Sequence, residues 1–124
     1  MTATRIHLVV ASLMGAWGVA LLAAARHVAG GEMATIAAQM LLFHASALVA
    51  WALARKSGLL HDLLSRLAIT GLALGVILFA GDLAIRGLGG DRLFAYAAPL
   101  GGSLTILSWL ALAVAALIGA RPRG

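Results

Sequence analysis

The sequence predicts an all-α integral membrane protein, a four-helix bundle with antiparallel helices and both termini in the cytoplasm. Of its 124 residues, 63% are hydrophobic and 10% are charged, and the mean hydropathy is +1.05. A soluble domain of this length needs more polar surface than this composition supplies. Four apolar runs each approach the ~20 residues that cross ~30 Å of hydrocarbon as a helix. They cover about residues 6–25, 35–54, 67–85 and 99–120.

The connections between the runs are short, so we predict one domain over residues 1–124. The runs are continuously apolar and do not alternate with polar residues, which favours helices over a transmembrane barrel. The second connection contains LLHDLLSRL, in which leucines recur at helical spacing against polar residues. This pattern predicts a short interfacial helix over about residues 58–66.

The basic residues indicate topology. A net charge of +5 could suggest nucleic acid, but these residues sit at the ends of the apolar runs and form no stripe, so we expect no nucleic acid partner. The positive-inside rule assigns the more basic side to the cytoplasm, so it predicts a multi-pass protein with both termini in the cytoplasm. That side holds Arg5, Arg55, Lys56, Arg66, Arg121 and Arg123, and the other side holds Arg26, Arg86 and Arg92.

The first run has a second interpretation. Arg5, an apolar core over residues 8–22 and the alanines at 23–25 also fit a cleavable signal peptide. The length of the run favours a permanent span. The chain has no cysteine, so thiol chemistry and thiolate metal sites are excluded.

Asp82 is an acidic residue within the third apolar run, with Arg86 four residues later. At 100° per residue it shares a helix face with the G-x-x-x-G pair Gly71 and Gly75, a pattern typical of helix packing. The fourth run begins with Pro99, and Gly101, Gly102 and Ser103 follow. We expect Asp82 to cap or face these amides while Arg86 covers its outer side. Proton or ion handling and snorkelling to the surface are the alternatives.

His44 is the other ionisable residue inside an apolar run. Gln39 lies about 140° away around the helix, so a hydrogen-bond partner for His44 must come from another helix. His7, His27 and His61 are expected at other depths, with His27 at the outer rim, which disfavours a haem or zinc site. We therefore predict no metal and no cofactor, and we interpret Trp109 as packing bulk.

Several short motifs carry a family resemblance when taken together. The chain resembles domain-of-unknown-function family 423, which includes the YgdD-like bacterial inner-membrane proteins and the eukaryotic transmembrane protein 256. The resemblance implies four helices and an inner-membrane location, and it implies no established reaction. The motifs are Arg26-His27 after the first run, His44-Ala45, Phe79-Ala80-Gly81, and Pro99, Gly101 and Gly102 followed by Trp109.

Three functions remain open on the sequence. The first is a non-catalytic accessory or structural protein embedded in the lipid bilayer, as a homo-oligomer or within a larger membrane complex, because no nucleophile with a base, phosphate loop or metal cluster is visible. The second is a small oligomeric transporter or proton/ion-coupled carrier that uses Asp82 and His44. The third is an enzyme acting on lipid or quinone, for which the same two residues are the candidates; we expect no enzyme.

Overall fold

The computed structural model describes residues 2–29 and 31–120, and the described part of the chain folds into four α-helices. All four are long and apolar enough to cross a membrane, so the all-α fold with four candidate spans is confirmed. The helices are α1 (Ala3–Ala25), α2 (Gly31–Lys56), α3 (Asp62–Gly87) and α4 (Ala97–Ile118).

Local capping explains why the helices differ in length from the apolar runs. α1 begins earlier than predicted because the Thr2 hydroxyl accepts the backbone N–H of Arg5 at 3.3 Å. α4 begins at Ala97, directly after Tyr96, whose φ of 67° is left-handed. It ends at Ile118 because Gly119 has a φ of 70°, a conformation that glycine adopts without strain.

The predicted interfacial helix over residues 58–66 is wrong. Gly58 turns the chain with a φ of 84°, and α3 then starts at Asp62, so residues 62–66 form the beginning of the third span. His61 sets this start, because its Nδ1 accepts the backbone N–H of Leu64 at 3.2 Å. The leucine spacing in this segment belongs to the first turns of α3 and to the buried Leu60, which is 4% exposed.

Each helix packs mainly against its neighbours in the sequence. α2 lies between α1 and α3, α4 packs on α3, and α1 makes a smaller contact with α3. A core of aliphatic side chains fills the space between the helices, including Leu48 of α2, Ile69, Leu72 and Val76 of α3, and Leu112 of α4.

Glycines let α3 and α4 approach closely. A Cβ added to Gly75 would lie 2.7 Å from the Thr105 hydroxyl and 2.9 Å from the Gly101 carbonyl oxygen, and one added to Gly71 would lie 2.6 Å from the Ser108 hydroxyl. The small-residue face of α3 therefore lies directly on the small-residue face of α4. This contact fixes the rotation of α3, and with it the direction in which Asp82 points.

Candidate functional site

Asp82 lies near the C-terminal end of α3 and is almost completely buried, with 1% of its surface exposed. One carboxylate oxygen, Oδ2, lies 2.9 Å from Nη2 of Arg86, one helical turn further along α3. The Arg86 side chain is 26% exposed, so the ion pair joins a buried acid to a partly exposed base. Arg86 thus supplies the counter-charge of a buried carboxylate.

The second oxygen of Asp82 holds the connection between α3 and α4. Its Oδ1 accepts the backbone N–H of Leu93 at 3.0 Å, eleven positions along the chain. Both carboxylate oxygens therefore have protein partners. Asp82 ties residues 88–96, the loop between the helices, to the end of α3.

The expected partners of Asp82, the amides of Gly101, Gly102 and Ser103, are not the ones that it contacts. α4 begins at Ala97, two residues before Pro99. Only the first four N–H groups of a helix lack an intrahelical acceptor, so the amides from Gly101 onward are directed along the helix. The Leu93 amide, in the preceding loop, supplies the hydrogen bond instead.

The predicted residues at the start of α4 lie close to Asp82 in a different way. Pro99 and Gly102 line an open cleft that Asp82 and Arg86 also line. Gly101 is buried, and a Cβ added to it would lie 2.6 Å from the backbone nitrogen of Phe79. Gly101 therefore permits close packing of α4 on α3, and its contacts are with backbone.

His44 has a partner on each ring nitrogen. Nδ1 lies 2.8 Å from the backbone oxygen of Met40, and Nε2 lies 3.1 Å from Nε1 of Trp109. An indole nitrogen can only donate, so Nε2 is the acceptor and Nδ1 carries the hydrogen that it donates to Met40. His44 is 8% exposed, and this pattern is that of a neutral imidazole held within the bundle.

The side-chain partner of His44 comes from another helix, as predicted, but the sequence argument assigned Trp109 only to packing. The indole also packs edge-on against His44 and Trp51, with ring centroids 5.8 and 6.1 Å apart respectively. The signal that identifies Trp109 is its N–H group, because an indole donor within an apolar span needs an acceptor.

A second polar contact between helices involves His7, for which the sequence predicted only a depth different from that of His44. His7 is 7% exposed, and its Nε2 lies 2.9 Å from the hydroxyl oxygen of Thr70. That hydroxyl donates to the backbone oxygen of Arg66 at 2.9 Å, so it accepts from His7. The contact joins α1 to α3.

The structure keeps the remaining predicted residue, His27, apart from these contacts. His27 follows α1 in the turn before α2, and it is exposed. Within the described residues, 2–29 and 31–120, there is no group of three or more His, Cys, Asp or Glu side chains placed to hold a metal ion. Asp82 and His44 thus form two separate, internally paired polar sites.

Comparisons with known proteins identify a family and a relative that this chain resembles. A family model described as "Protein of unknown function (DUF423)" matches residues 14–102. A "UPF0382 membrane protein" from Haemophilus influenzae (strain ATCC 51907 / DSM 11121 / KW20 / Rd) is 31% identical over 72 residues. That similarity covers 58% of this chain and 56% of the relative, so it spans little more than half of the relative's length. No solved structure matches the chain.

Proposed function

We propose that this chain, a member of the DUF423 family of proteins of unknown function, is a non-catalytic accessory protein of the bacterial inner membrane. It acts within a larger membrane assembly. Its similarity to a bacterial protein described as a membrane protein agrees with the four candidate spans. The proposal depends chiefly on one observation, which is that the two ionisable side chains most suited to chemistry are already engaged by the protein.

The carboxylate of Asp82 uses one oxygen on Arg86 and the other on the Leu93 amide. A proton carrier needs a carboxyl group that can exchange its proton with a pathway, and protonation of Asp82 would weaken its contacts with both partners. His44 likewise uses one nitrogen on Met40 and the other on Trp109. These contacts favour a structural role for both residues over transport.

Infrared difference spectroscopy of the reconstituted protein tests this role. We compare the wild type with Asp82→Asn between pH 4 and pH 9, and use Asp62→Asn as the control because Asp62 also pairs with an arginine but is 74% exposed. The proposal predicts that the infrared bands assigned to Asp82 do not change when ions are added at any of these pH values. A protonated Asp82 band near neutral pH that changes on addition of ions would instead establish the carrier.

Native electrophoresis tests the accessory role separately. Membranes are solubilised in a mild detergent, and the chain is followed beside the purified protein. We expect the chain in native membranes to migrate with an assembly much larger than the purified 12.6 kDa protein forms alone. Migration only at the size of the purified protein would contradict this role.

A further inference from the structure

A cleft of about 610 Å³ opens beside Asp82, between the C-terminal end of α3 and the start of α4. Its walls differ in chemistry along the helices. Polar side chains line it near the helix ends and in the loop, and apolar side chains line it further along the spans. The polar group near the helix ends comprises Asp82, Arg86, Arg92 and Tyr96, and the apolar group includes Phe79, Leu83 and Ile106. Ser103, in the second turn of α4, lies with the apolar group.

This division matches the layers of a bilayer. The ends of a spanning helix lie at the level of the lipid headgroups, whereas residues one or more turns inside it lie among the acyl chains. Ile106 is 63% exposed and Tyr96 is 75% exposed, so the cleft is open to its surroundings at both levels. A ligand that fits it has a polar head and an apolar tail.

The charges in the cleft favour an anionic head. Asp82 is the acidic residue that lines it, and Arg86 neutralises that carboxylate. Arg92 makes no ion pair with another described residue, so these three residues give the cleft a net charge of +1. Arg86 also has unused donor capacity, because its buried Nε has no hydrogen-bond partner among the described residues.

We infer that this cleft binds an anionic phospholipid, with the phosphate between Arg86 and Arg92 and an acyl chain along Phe79, Leu83 and Ile106. Planar guanidinium groups match the geometry of phosphate oxygens, and basic residues at the membrane surface attract anionic lipids. The Tyr96 hydroxyl supplies a further donor at the same level. This lipid site does not depend on the proposed accessory role.

Native mass spectrometry of the full chain in non-ionic detergent tests the site. Phosphatidylglycerol and phosphatidylcholine are titrated separately, and the bound fraction is measured for wild type, Arg92→Gln and Arg26→Gln. Arg26 is the matched control, because it is an exposed arginine at the same end of the bundle that does not line the cleft. Circular dichroism verifies that each variant is folded.

Phosphatidylglycerol should bind more tightly than phosphatidylcholine, and Arg92→Gln should weaken its binding about fivefold while Arg26→Gln has little effect. Inorganic phosphate at millimolar concentration should not displace the lipid. Equal binding of the two lipids, or equal weakening by the two variants, would overturn the site. Full displacement by inorganic phosphate would also overturn it, because the cleft would then recognise a free anion.

Discussion

The indole N–H of Trp109 donates to Nε2 of His44 across 3.1 Å, and this bond joins two helices that have no Cα atoms within 8 Å of each other. α3 lies against both α2 and α4, and the large side chain of Trp109 reaches past it. A polar contact between side chains thus connects helices that backbone packing leaves apart.

Removing the indole donor should destabilise the bundle. Trp109→Phe keeps an aromatic ring but leaves Nε2 of His44 buried without its partner, and we expect a loss of about 1 kcal/mol in the free energy of unfolding. The measurement is equilibrium unfolding in mixed detergent micelles. Trp17→Phe is the control, because Trp17 is 69% exposed and should tolerate the change. Equal losses in the two variants would show that the hydrogen bond has no stabilising effect.

Neutralising Asp82 should cost more than neutralising Asp62. In Asp82→Asn the guanidinium of Arg86 loses its counter-charge in a largely buried setting, and we expect about 3 kcal/mol of destabilisation. Asp62→Asn should cost less than about 1 kcal/mol, because that acid is 74% exposed and its ion pair is solvated. Equilibrium unfolding measures both variants, and similar losses would contradict the structural role of Asp82.

The same substitution should loosen the loop at residues 88–96. The Asp82 carboxylate accepts the Leu93 N–H, and a charged acceptor forms a stronger hydrogen bond than an amide. We expect faster hydrogen exchange in this loop in Asp82→Asn, with exchange at residues 57–61, in the connection at the other end of α3, unchanged. Unchanged exchange at residues 88–96 would indicate that the loop is held by other contacts.

Adding a methyl group between α3 and α4 should separate them. Gly75→Ala would place Cβ 2.8 Å from the Thr105 backbone nitrogen, which cannot move without the helix, and we expect a loss of about 1–3 kcal/mol. Gly15→Ala is the matched control, because its Cβ would meet only Ala45 Cβ at 3.7 Å, an ordinary contact. The same unfolding assay distinguishes the two, and a neutral Gly75→Ala would contradict the close approach.

The predicted topology has a direct test, because the chain contains no cysteine. Single cysteines are introduced at the exposed positions Ala29 and Ser57, in the first and second connections. With both termini in the cytoplasm, a membrane-impermeant maleimide should label Ala29→Cys in intact spheroplasts, and Ser57→Cys only after lysis. The reverse pattern would invert the orientation.

The sequence predicts the existence of each helix, because twenty consecutive apolar residues have few other solutions in a bilayer. The ends of the helices were harder to predict. Thr2 and His61 cap helices through side-chain contacts that hydropathy does not register, and His61 caps α3 inside the segment predicted as an interfacial helix.

The candidate sites were predictable only where the partner was local. Arg86 follows from helical spacing, since residues four apart face each other. The Leu93 amide does not, because its position depends on the path of a loop containing two adjacent glycines, Gly89 and Gly90. The sequence around His44 offers no side-chain partner on the same helix face, so a partner on another helix was predictable. Identifying that partner as Trp109 requires the relative depth and rotation of α2 and α4.

The contacts between consecutive helices set an order of assembly. α2 packs on α1, α3 on α2 and α4 on α3, so each span made after the first finds a packing neighbour already in the membrane. Folding can then follow synthesis from the N-terminal end, with little closure of long loops. The bond from Trp109 to His44 forms when the final span docks, and it fastens the last helix to one made two spans earlier.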